Sequence, residues 1–162
     1  MPIQNYNSEG MVLGNEFFVF DYDASTNATP LGYATTCTLS LSANTIDKSN
    51  KMSGVWSEAL PGQLSWTITT SALYASEATW GYAAMAAAMK ARTPYLIRFG
   101  RVTNYGHIAD YTLEANYQLD SSAGYEEGYA WITSVELNAG NNEVASYSVT
   151  FTGNGKLDHK TE

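Results

Sequence analysis

Few residues in this chain have the type and spacing that chemistry needs. His107 follows a turn-like NYG and His159 lies in the polar tail LDHKTE, so the two histidines are far apart in sequence. A single Cys37 cannot supply the paired thiolates of a CxxC metal site. It sits in an alternating strand pattern, which reads as a small buried thiol rather than a nucleophile. Glu126 and Glu127 are adjacent, and neighbouring side chains on a strand point to opposite faces, so they make a poor general acid and base pair. The surrounding GYEEGY reads instead as a solvated charged turn. Gly153 to Gly155 (GNG) lacks the third glycine and the following helix of a dinucleotide fingerprint, and reads as a strand-ending turn. These residues predict no enzyme, no metal site and no cofactor.

The elements that must position any function are mostly strands. Leu31 to Ser42 alternates, with Tyr33, Cys37, Leu39 and Leu41 on one face and Ala34, Thr36, Thr38, Ser40 and Ser42 on the other. Leu64 to Leu73 repeats the device, with Leu64, Trp66 and Ile68 predicted to face in and Ser65, Thr67, Thr69 and Ser71 to face out. Further strands are predicted over Met11 to Tyr22, Tyr95 to Val102, roughly Asp110 to Leu119, Tyr129 to Leu137 and Glu143 to Thr152. The last two form a hairpin through NAGNN, with Trp131, Val135 and Leu137 expected inward opposite Tyr147, Val149 and Phe151. Ser76 to Arg92 is the one predicted helix: Ser76 can cap it, Lys90 and Arg92 suit its C-terminal end, and Tyr82, Met85 and Met89 form an apolar stripe for the sheet. The expected architecture is mainly β, an antiparallel sandwich or barrel with one packed helix.

At 162 residues with 44% hydrophobic and 13% aromatic content, the chain can bury one core. One domain over 1–162 is expected, with 1–10 and 158–162 flexible. The net charge of -8 would repel nucleic-acid phosphates and anionic lipid. Between Ala78 and Ala109 the charged side chains are Lys90, Arg92, Arg98 and Arg101, whereas Val102 to Gly155 carries acids without Lys or Arg, so an acidic and a basic surface are expected. The N-terminus has no basic and apolar leader, and no stretch is long and apolar enough for a membrane span, which points to a cytoplasmic protein. The aromatic content also raises a second reading, a monomeric carbohydrate- or ligand-binding β-module that grips sugar faces with exposed rings.

Between the two alternating strands lies Ala43 to Gln63, far longer than a hairpin turn requires. It mixes Ile46, Met52, Val55 and Trp56 with Asp47, Lys48, Lys51 and Glu58, and large apolar side chains of this kind seek a partner surface.

Two stretches, TCTLSLSANTIDKSNKMSGVWSEALPGQLSWTIT (Thr36 to Thr69) and AWITSVELNAGNNEVASYSVTFTGNGKL (Ala130 to Leu157), carry a family likeness. The "IDxSxK" loop with its downstream Trp and "LPG", and the closing hairpin ending in "FTGxG", resemble those of phage major tail tube proteins of the TP901-1 type. That resemblance implies a structural subunit that assembles into stacked hexameric rings, a virion tail built in the bacterial cytoplasm. It implies as partners the chain itself and other tail proteins, such as a tape measure and a tail terminator, with DNA passing through unbound. Carried over by motif, the assembly loop is Ile46, Asp47, Lys48, Ser49, Lys51, Met52 and Trp56. The short polar stretch before Met11 implies at most a small inter-ring arm, and no decoration domain is expected after Leu157.

Overall fold

The computed structural model of the chain describes residues 12–23 and 27–162. Its β-branched, aromatic and hydroxyl-rich segments form strands at Phe17–Asp23 (β1), Asn27–Pro30 (β2), Ala34–Asp47 (β3) and Ala59–Leu73 (β4). The alanine-rich segment follows as helix Tyr82–Ala91 (α1). Then come Tyr95–Arg101 (β5), Tyr125–Asn138 (β6), Ser146–Gly153 (β7) and Asp158–Lys160 (β8). The strands pair antiparallel in the order β2-β1-β5-β6-β7-β4-β3, and β8 continues alongside β6 where β7 has ended. This is the mainly β, antiparallel architecture with one packed helix that the sequence predicts.

The sheet curls so that its two ends approach. The last strand in the order, β3, comes against β1 near the other end, and Phe17 and Phe18 face Ala34, Thr35, Thr36 and Cys37 across a cleft of about 470 Å³. Inside the curl, Trp66, Ile68, Ile97, Ile132, Val149 and Phe151 are buried, and Trp80 and Met85 cover them from the helical side. Trp66 anchors the centre. Its indole lies against the backbones of Gly128 and Gly153, where a Cβ on either would collide with the ring, and its Nε1 donates to the Gly155 carbonyl at 3.1 Å.

The helix is shorter than its sequence signals. It begins at Tyr82 after Gly81, not at Ser76, because the preceding Trp80 turns into the core against Tyr95 and Phe151. Met85 and Ala88 are its buried residues, whereas Met89 is 39% exposed. Small alanines let the helix approach β6 closely, so Ala88 rather than Met89 meets the sheet. The helix stops at Arg92, which takes the left-handed conformation at φ 55°.

Four strand expectations change. Asp110 to Leu119 is an irregular loop with a 3-10 turn at Glu114–Asn116; only Leu119 bridges a strand-like partner, Val102. Asp110 Oδ1 accepts from both the amide and hydroxyl of Thr112, and such local bonds compete with a β ladder. In β6 the register shifts between Ile132 and Ser134, a bulge that switches the inward parity from Ala130 and Ile132 to Val135. Trp131 therefore points outward at 37% exposure, and Leu137 ends at 45%. Tyr33 and Leu41, placed on the inward face by alternation, are also exposed. The predicted first strand starts at Phe17; Met11 and residues 1–10 lie outside the described residues.

GYEEGY is not a solvated turn but the start of β6, and the tail from 158 is strand rather than a trailing end. Glu127 is buried between Arg98, at 2.6 Å, and Lys160 of β8. The Arg98 guanidinium also stacks over Tyr22, 3.7 Å from its ring centre. Burial pushes the Glu127 carboxyl up, but Lys160 and Arg98 outweigh it and hold the group below its ordinary range. Glu126 pairs with His159 at 2.8 Å on the other face. The expected separation into acidic and basic surfaces is thus partly cancelled inside the sheet, where basic β5 lies beside acidic β6.

Candidate assembly arm

The most distinctive surface is the far half of the β3–β4 hairpin. β4 pairs with β7 only from Thr67 to Leu73. Beyond that point β3 and β4 continue as a two-stranded arm through Leu41↔Trp66, Ala43↔Leu64 and Asp47↔Ala59. Strand structure thus replaces much of the predicted loop over Ala43 to Gln63, leaving residues 48–58 as the turn. Except for Trp66 at its base, the arm's large apolar side chains face water: Leu41, Ile46, Leu60 and Leu64 are all exposed. Leu64, predicted to face in, lies on the inward face by register but past the body that would cover it.

Two-stranded ribbons are marginal in water, so the arm's turn is braced by polar side chains. Asp47 Oδ1 accepts from the Ser49 amide at 2.8 Å. The Ser49 hydroxyl and amide hold the Asp47 carboxyl below its ordinary range. Ser49 Oγ in turn accepts from the Glu58 amide at 2.8 Å, closing the neck of the turn. The Lys48 amide donates to the Glu58 carbonyl at 3.0 Å, and their side chains pair at 3.4 Å. Asn50 Oδ1 accepts from Met52, Ser53 Oγ accepts from Asn50, and Gly54 supplies the positive φ of 68° that lets the chain reverse. On this frame Met52 is 95%, Val55 93% and Trp56 80% exposed. The turn thus combines a hydrogen-bonded neck with a bare apolar cap.

All seven residues carried over by motif fall on this arm: Ile46 and Asp47 close β3, and Lys48, Ser49, Lys51, Met52 and Trp56 form the turn. The motif set omits Val55, named from the sequence only among the segment's apolar side chains, whose exposure matches Met52, and the neck residues Asn50, Ser53 and Glu58. The neck's signal was the density of Asx and Ser side chains around the lysines, Asp47, Ser49, Asn50 and Ser53, a pattern of turn-bracing bonds. Elsewhere, Cys37 is partly buried and burial pushes its thiol up to about 11, which leaves it protonated and inert at neutral pH. No group of three or more His, Cys, Asp or Glu side chains able to hold a metal occurs among the described residues. No helix is long and apolar enough to cross a membrane among them.

The outer edge of β3 has no backbone partner among the described residues, while the opposite edge of the sheet is the short β2, closed by Pro30. A sequence profile of the family described as phage tail tube protein matches residues 14–159. The chain belongs to that family. As a phage tail tube protein its role is structural. No curated protein sequence matches it. Solved structures carry the same fold at low identity. The tail of an empty gene transfer agent particle, refined with C6 symmetry, superposes with a TM-score of 0.68 at 15% identity, covering 93% of this chain and 100% of that one. The virion of a native gene transfer agent gives 0.68 at 17%, with the same coverage. The SPP1 tail tube gives 0.63 at 14%, covering 94% of this chain and 80% of that one.

Proposed function

We propose that this tail tube protein acts as a single unit that assembles with copies of itself into stacked hexameric rings, a conduit through which DNA passes without specific binding. The observation that carries this reading is the projecting arm, whose bare apolar cap and unpaired strand edges have no use in a lone molecule. An open edge is a liability that ring closure removes, because each copy's edge is paired by its neighbour. The sixfold symmetry of the gene transfer agent tail supports the ring number. The net charge of -8 suits a conduit wall that repels phosphate over a Debye length of about 8 Å. The role needs no catalysis and no cofactor.

Ile46, Asp47, Lys48, Ser49, Lys51, Met52 and Trp56 are the proposed contact residues, with Val55 added by its exposure. Other tail proteins, a tape measure and a terminator by family likeness, are the remaining partners, and assembly takes place in the host cytoplasm. The alternative of a monomeric sugar-binding module loses two of its rings, since Trp66 and Trp80 are buried. Negative-stain images of the purified protein at raised concentration should show rings or tubes of uniform bore. A particle that stays monomeric at every concentration and with every tail partner would refute the reading.

A further inference from the structure

We propose that the arm's apolar cap docks on the opposite end of a second copy, at the mouth formed by Tyr74, Leu137 and Val144. This rests on reading the arm as an assembly contact, and adds the surface that receives it.

The ladder registers place cap and mouth at opposite ends. β4 lies beside β7 from Thr67↔Thr152 to Leu73↔Ser146, and the β6–β7 turn closes just past Asn138↔Ser146. The arm leaves the ladder at the Thr67 end and runs the other way through Leu41 to Asp47, about 23 Å at ~3.3 Å per residue. The cap therefore cannot reach its own molecule's mouth.

At the mouth the core comes to the surface without a cover. Leu137 sits opposite buried Tyr147 in the ladder and is 45% exposed. The Tyr74 amide donates to the Ala145 carbonyl at 2.8 Å, which fixes Tyr74 beside the turn. Its half-exposed ring meets Tyr82 at 5.8 Å, and Tyr82 in turn meets Tyr147 at 5.9 Å. Val144 stands on the turn itself, exposed. The mouth thus offers apolar rings and branched side chains of the kind Trp56, Val55 and Met52 would bury.

Charge agrees. Lys51 on the arm's turn has no ionic partner among the described residues, and neither Glu136 nor Glu143 at the mouth has one. A lone cation at one end and two lone carboxylates at the other favour end-to-end contact and penalise contact between like ends. Unlike surfaces at opposite ends make a heterologous interface, which repeats along the strand direction into an open stack instead of closing as a dimer.

The test is a directed cross-link. In a Cys37→Ser background, Val55→Cys and Val144→Cys are combined in one chain, assembled, oxidised and run on a non-reducing gel. The proposal expects a ladder of covalent multimers, with Val55→Cys alone giving no cross-link. Tubes that form and oxidise without a ladder, or dimers from Val55→Cys alone, would overturn it. Should the double cysteine chain not assemble, Lys51→Glu is expected to raise the concentration needed for assembly about tenfold, and adding Glu143→Lys to restore it. An absence of rescue overturns the proposal. Normal assembly of Trp56→Ala would instead sink the reading of the arm, which separates the two failures.

Discussion

The two halves of the β3–β4 hairpin are written in the same alternating code and meet opposite fates. In the half that lies beside β7, Ile68, Thr70 and Ala72 are buried, as is Trp66 at the junction with the arm. In the other half, Leu41 and Leu64 carry the same inward parity and stand in water. Alternation specifies that a face is meant to be covered; it does not say which molecule covers it. In the body the cover comes from the chain's own strands and helix, and in the arm the proposed cover is another copy.

The sharpest way to break this comparison is at the hairpin's centre. Trp66→Ala removes a ring wedged between two glycine backbones, and it should destabilise the monomer by about 4 kcal/mol, measured by denaturant unfolding. A small loss would mean that the body, like the arm, awaits an external cover.

Next in size is the buried ion pair between β5 and β6. Glu127→Gln leaves Arg98 nearly buried without its counter-charge and loosens β8, so about 3 kcal/mol should be lost. The folded-state pKa of Glu127 lies below its ordinary value of 4.5. Its contribution is therefore complete above that value and fades as pH falls through the folded pKa. A variant with undiminished stability at neutral pH would show that Arg98 and Lys160 find other partners.

The strand pattern was legible because it follows from local periodicity, whereas the arm was read as a loop over Ala43 to Gln63 and the side chains that brace its turn were not singled out for that role. What was not legible depended on distant partners. GYEEGY reads as a solvated turn only until Arg98 and Lys160 arrive from β5 and β8 to neutralise Glu127. The bulge after Ile132 leaves no mark in SVEL, so Trp131 was placed inward by the parity of Val135, which holds only beyond the bulge. The helix start was misread because Trp80, outside the helical stripe, is drawn into the core. On the arm, the seven motif residues lie at its tip, whereas Leu41 and Leu64 were placed inward by alternation and stand past the part of the body that covers that face.

A smaller effect should appear at Asp21. Burial, with Asp23 nearby, pushes its carboxyl from 3.8 up to about 6. The folded state holds this proton more tightly, so stability falls as pH rises from about 4 to about 6 and stays lower above. Asp21→Asn should remove that slope and stabilise the protein at pH 7 by about 1 kcal/mol, allowing for its partial exposure, with no gain below pH 4. Thermal unfolding across that range checks it; equal curves for both proteins would contradict the assignment.

Smallest in stability and largest in consequence is Trp56→Ala. The measurement that tests the central claim most directly is sedimentation velocity of this variant beside the parent chain across a concentration series, with thermal unfolding of each. The expected result is a melting curve within about 0.5 kcal/mol of the parent, since an exposed side chain supports no core, together with loss of the fast-sedimenting assemblies. A variant that assembles as the parent does, or one that unfolds, would contradict the claim that the arm's cap is kept bare for another copy.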